Sequence, residues 1–136
     1  MKTADRRGDR GSMSVELVIL APVMMAFIVL VVACGRYVSV SGDIEAASRD
    51  AARAASLERT QDAAEAAADG VAAAALEHPE RCRPVQLTGD FVAGGTITAT
   101  VSCDVSYADL GLIGLPGSKQ LTASSSAPLD TYRRTG

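Results

Sequence analysis

Polar and apolar positions divide this chain into stretches of different period. Residues 1–11 are polar and charged, Leu17 to Gly35 contains no charged residue, Val38 to His78 is alanine-rich with spaced charges, and beyond Pro79 apolar and polar residues begin to alternate. As a helix rising 1.5 Å per residue, the uncharged run reaches about 29 Å, the thickness of a bilayer's hydrocarbon core. This predicts a transmembrane helix over 12–36, preceded by a leader, 1–11, that has nothing to bury and is expected to be disordered. Pro22 removes one backbone hydrogen bond and predicts a kink, which a membrane helix tolerates. Arg36 and Tyr37 suit the outer interface, where a guanidinium reaches towards headgroups and a phenol sits at the boundary.

Over 37–78 the pattern predicts an extracytoplasmic helix, or two. Ile44, Ala47, Ala51, Ala54 and Ala55 draw a narrow stripe of mostly small residues at helical spacing, and a small stripe lets another element approach closely. Glu45 with Arg49, and Asp50 with Arg53, are spaced to pair, while Gly42 and Gly70 are the expected points of bending or breaking.

From 79 to 128 the period falls to two and predicts a small antiparallel β domain. Ile97, Ala99, Val101, Cys103 and Val105 share one face of a strand, with Thr96, Thr98, Thr100, Ser102 and Asp104 on the other. Val85 to Val92 is its expected partner across a tight turn at Gly94-Gly95, and Lys119 to Ala127 is a third strand ended by Pro128. Leu112, Ile113 and Leu115, in the apolar glycine-rich loop Leu110 to Gly117, are expected to pack onto the sheet or into a partner. The tail, 129–136, is expected to fray. The fold class is therefore α+β: a long N-terminal transmembrane and amphipathic helix followed by a small three-stranded antiparallel sheet.

Composition narrows the function. The 136 residues leave room for one small domain beside the membrane helix, and with only 4% aromatic residues a deep pocket is not expected. The chain carries a net charge of −3, and the leader holds four basic against two acidic residues, so a product starting at Ser12 would stand at −5. Such an acidic outer portion offers no footprint for nucleic acid. The basic excess before the apolar run predicts a cytoplasmic N-terminus and an exported remainder. Cys82 and Cys103 then lie in an oxidising compartment and are a candidate disulfide, worth about 3 kcal/mol by loop entropy. A two-residue turn at Gly94-Gly95 would leave them four residues out of register, so the bridge requires Pro84 or a bulge to redirect the chain.

Glu16 is the residue that asks for chemistry, because a carboxylate stands directly before an apolar run that disfavours it. If the chain were cut between Gly11 and Ser12, the new α-amino group would lie one helical turn from Glu16, or near the Glu16 of a neighbouring subunit, and would give the acid a cation. This arrangement resembles the processing site of type IV pilins. With the GSMSVE site, Pro22, the Gly35-Arg36 boundary, the AASRDAARAA run and GLPG followed by LTASSSAP, the chain resembles the TadE-like pseudopilins, or minor pilins, of the tight-adherence pilus machinery. Leu17 stands where major pilins of that branch often carry tyrosine, which argues for a minor component. The resemblance implies a pilin-like fold, processing at Gly11, Ser12 and Glu16 by a prepilin-type peptidase, pairing of Ser12 with Glu16 in assembly, and other pilin or pseudopilin subunits as partners through helix packing. It also implies a single-pass membrane protein that enters a surface pilus or secretion filament.

Two other classes compete. Leu30 to Gly35 approximates a lipobox, which would make Cys34 the lipidated start of a surface binding module; an uncut single-pass anchor with an adhesive or sensory outer domain is the other. His78, the sole histidine, is expected to cap a helix C-terminus. No second histidine or cysteine cluster suggests a metal and no glycine-rich strand-to-helix turn suggests a nucleotide, so the reading includes no enzyme, cofactor or small-molecule substrate.

Overall fold

The structure, a computed structural model, describes the backbone of residues 9–132 and the side chains of residues 14–132. Most of the leader and the last four residues of the tail lie outside the described residues.

Helix α1, Asp9–Leu57, is 49 residues long, or about 74 Å at the standard rise. It runs unbroken through Pro22, Gly35 and Gly42. The break in the alanine-rich stretch falls at neither expected glycine but at Glu58 to Thr60, where Thr60 turns extended and its hydroxyl accepts from the Ala63 amide at 3.3 Å. That cap, with Asp62 in the first turn, opens helix α2, Gln61–Ala75, which carries Gly70 in its interior without interruption. A glycine costs a helix only about 1 kcal/mol, less than the packing that holds α2 in place. Of the expected pairs Glu45 and Arg49 meet at 3.5 Å, whereas Asp50 and Arg53 form no ion pair among the described residues.

Three strands follow a 3-10 turn at Pro79–Arg81: β1, Gln86–Gly89; β2, Thr96–Ser106; and β3, Ser118–Pro128. They form an antiparallel sheet in the order β1-β2-β3. The alternation in β2 holds along its length, with Ile97, Ala99, Val101, Cys103 and Val105 all buried. Opposite them in β3 lie Ala127, Ser125, Ala123, Leu121 and Lys119. On the outer face the hydroxyls pair across the strands, Thr98 with Ser126 at 2.8 Å, Thr100 with Ser124 at 2.9 Å and Ser102 with Thr122 at 3.1 Å.

The inner face packs on the second half of α1, whose Ile44, Ala47, Ser48, Ala51, Ala52 and Ala55 are buried, and α2 lays Ala64, Ala68 and Ala72 against the same stretch of α1. Ser48 and Ala52 widen the expected stripe because α1 is covered from two sides, by the sheet and by α2. The Ser48 hydroxyl satisfies itself on the Glu45 carbonyl at 2.8 Å, so its burial leaves no orphan donor.

The β1–β2 connection differs from the expected two-residue turn. Strand β1 stops at Gly89, which has φ +113°, and a Cβ there would collide with the Thr96 carbonyl. Residues 90–95 form a wider loop, closed by a bond from the Gly95 amide to the Val92 carbonyl at 2.9 Å. The tail begins anchored: Leu129 is buried and its amide bonds the Gly95 carbonyl at 2.8 Å.

Candidate functional site

The candidate site is the apolar first half of α1 and the junction where the outer domain meets it. Among the described residues this helix alone is long and apolar enough to cross a membrane. Its large side chains, Leu17, Ile19, Met25, Phe27 and Leu30 among them, are exposed. From Ser14 to Arg36 Ala33 alone is buried.

Gly11 and Ser12 belong to α1, where only their backbone is described. Glu16, four residues after Ser12 on the same helical face, is exposed. Leu17, Pro22 and Gly35 all lie within the continuous helix. Cys34 is a free, exposed thiol in the same unbroken helix.

At the top of the apolar run the sheet is tied to the helix. Arg36 donates to the Asp109 carbonyl at 3.3 Å, and Lys119 stands 5.7 Å above the Tyr37 ring, within cation–π range. The Asp109 carboxylate receives the Ser106 hydroxyl at 2.7 Å and pairs with Arg81, while its amide donates back to Ser106 Oγ at 3.2 Å. The Ser106 bond first, then the Arg81 guanidinium, hold the Asp109 carboxyl below the usual aspartate range. A cleft of about 180 Å³ lies between Arg36, Asp43, Arg81 and Asp104, smaller than the roughly 300–1,000 Å³ of ordinary ligand sites.

Asp109, Ser106 and Arg81 were not among the sequence candidates. The Ser106-Tyr107-Ala108-Asp109 spacing after a strand, a side chain–backbone turn signal, is what could have found them.

Cys82 and Cys103 form a disulfide that joins the end of the 3-10 turn to the inner face of β2. The register difficulty resolves in two steps. The wider loop moves β1 so that Gln86 opposes Thr100, and one extra residue between Cys82 and Gln86, at Arg83 to Val85, brings Cys82 opposite Cys103. The extra residue is stabilised by Asp69 of α2, whose carboxylate accepts the Val85 amide at 2.6 Å. His78 does not cap α2. That helix closes through the Leu76 amide on the Ala72 carbonyl, and the His78 ring meets Glu80 at 3.2 Å. Among the described residues no three metal-binding side chains converge.

In comparison with known families, the model of the family described as TadE-like protein matches residues 11–53. No curated protein and no solved structure matches.

Proposed function

We propose, from a chain whose residues 11–53 match the TadE-like family, that it is a pseudopilin or minor pilin subunit of a tight-adherence pilus or related secretion filament. The observation that carries this reading is the placement of the match. It begins at Gly11, includes Glu16, takes in the whole exposed apolar run and ends at Arg53, within the part of α1 that packs on the sheet.

In this reading residues 1–11 are a cytoplasmic leader, 12–36 span the membrane, and the α2 and sheet portion stands outside. A prepilin-type peptidase cuts after Gly11. The new α-amino group of Ser12 then pairs with Glu16, of its own helix or of a neighbour, as the helix moves from lipid into a bundle of pilin helices. A bare carboxylate in hydrocarbon costs several kcal/mol unless it finds a cation, and this gives subunit docking a preferred register. The chain is a substrate of the peptidase and catalyses nothing itself. The lipoprotein alternative fits less well, since processing at Cys34 would discard 11–33, more than half of the matched segment.

The test is Glu16→Ala in cells that carry the pilus machinery. The variant is expected to be cut like the parent and to be depleted from the pilus fraction in a pull-down. Normal incorporation would remove the pairing role from Glu16.

A further inference from the structure

The loop between β2 and β3 is apolar, exposed and held in place. Its base is closed by the Tyr107 amide on the Gly117 carbonyl at 3.1 Å, and inside it the Leu112 amide bonds the Tyr107 carbonyl at 3.0 Å, Gly111 bonds Ala108 at 3.0 Å and Leu115 bonds Leu112 at 3.2 Å. Compact loops with closed ends of this kind often carry function. Leu110 turns inward and is buried, but Ile113 is 91% exposed and Leu115 57%. Of the two expectations for Leu112, Ile113 and Leu115, packing onto the sheet does not hold for Ile113 and Leu115, which leaves them open to a contact outside the domain. No charged residue lies between Leu110 and Gly117.

The position of the loop decides what covers it. A Cβ at Gly111 would sit 3.8 Å from Arg36 Cδ and 3.9 Å from Val32 Cγ1, so the loop lies against the last turn of the apolar run. Val32 precedes Gly35 by three residues, about 4.5 Å of helix, which sets it within one turn of the outer end of the apolar run and so near the boundary between headgroups and acyl chains when this helix crosses a bilayer. Around the loop stand Tyr37, with Lys119 over its ring, and Arg36, which are side chains suited to that boundary. The acid at its root, Asp109, is engaged by Arg81 and Ser106.

We propose that the loop Leu110 to Gly117 is a second membrane contact, with Ile113 and Leu115 entering the leaflet that α1 leaves at Arg36. The apolar surface of the helix continues onto the loop, so the domain rests on the bilayer at two points instead of swinging on a single helix. This inference rests on α1 spanning a membrane, and the experiment separates the two claims.

The full chain carrying Cys34→Ser would be placed singly in nanodiscs of phosphatidylcholine and phosphatidylglycerol. An environment-sensitive fluorophore would be attached in turn at Ile113→Cys, at Val23→Cys in the apolar run, and at Thr122→Cys on the exposed hydroxyl face, with an intact-mass check that Cys82 and Cys103 remain bridged. The expected result is blue-shifted emission and loss of signal to shallow nitroxide lipids at Ile113, signal loss to deep nitroxide lipids at Val23, and neither at Thr122. An Ile113 probe as solvent-exposed as the Thr122 probe, with Val23 quenched, would overturn the loop contact and leave the span standing. A Val23 probe in water would overturn both. Shielding of Ile113 that is absent in these single-chain discs and appears when the same protein is reconstituted at two or more chains per disc would assign the loop to a second copy and likewise overturn the lipid contact.

Discussion

Between Val15 and Val32 helix α1 presents valine, leucine, isoleucine, methionine and phenylalanine to its surroundings; between Ile44 and Ala55 the same helix buries mostly alanine, with Ser48 among them. The backbone is continuous across both. Leaving a large aliphatic side chain exposed to water forgoes about 1.5–3 kcal/mol, and a dozen of them would exceed the roughly 5–15 kcal/mol by which ordinary domains are stable. Apolar surroundings, such as the bilayer this helix is long enough to cross, would remove that cost. In the second half small residues serve closeness instead, because they let a sheet and a second helix reach the backbone of α1. Side-chain size along one helix therefore separates the half that packs inside its own domain from the half that it leaves open.

That contrast can be broken most strongly at the disulfide. Replacing both Cys82 and Cys103 with serine should lower the stability of the outer domain by about 2–5 kcal/mol, read as a lower melting temperature in detergent, while the helical signal of the first half persists. An unchanged melt would mean that the bridge between the 3-10 turn and β2 adds nothing to the stability of the outer domain.

A smaller change separates the halves directly. Ala51 has no exposed surface, so Ala51→Leu should overpack the helix–sheet contact and cost about 1–3 kcal/mol, whereas Val23→Leu in the exposed half should stay within about 0.5 kcal/mol of the parent. Equal effects at the two sites would contradict the division of α1 into an open half and a half packed within the domain. At the joint between α1 and α2, Thr60→Ala removes the cap and should cost about 1 kcal/mol, seen as faster amide exchange at the start of α2.

The smallest effect concerns pH. The Asp109 carboxyl is held below the usual aspartate range by Ser106 and then Arg81, so its contribution is fully present above that range and is lost as pH falls through the lowered folded value. Melting curves of the parent should therefore decline in acid more steeply than those of Asp109→Asn. Parallel curves would show that the Asp109 carboxylate, with its Ser106 and Arg81 partners, adds nothing to the stability of the outer domain.

Much of this fold is legible in the sequence. The uncharged run and the alternation in β2 follow from local periods, and those periods survive because each face meets one environment along its length. The end of β1 was not legible, because the stop at Gly89 depends on the approach of the Thr96 carbonyl, a contact across the chain. Nor was the break at Glu58 to Thr60, where the chain has no glycine or proline and a threonine cap decides the matter. The disulfide pairing was readable from compartment, but the extra residue that permits it was not. At the candidate site Glu16 announced itself by being an acid out of place, while the Ser106, Arg81 and Asp109 cluster drew residues from separate elements and was assembled only by folding.

The central claim, a chain cut after Gly11 so that Ser12 and Glu16 open an assembling helix, is tested most directly by the intact mass and N-terminal sequence of the protein recovered from membranes of cells with the pilus machinery. The account predicts a product that starts at Ser12. A chain that still begins at Met1 or Lys2, or one that begins at a lipidated Cys34, would contradict it.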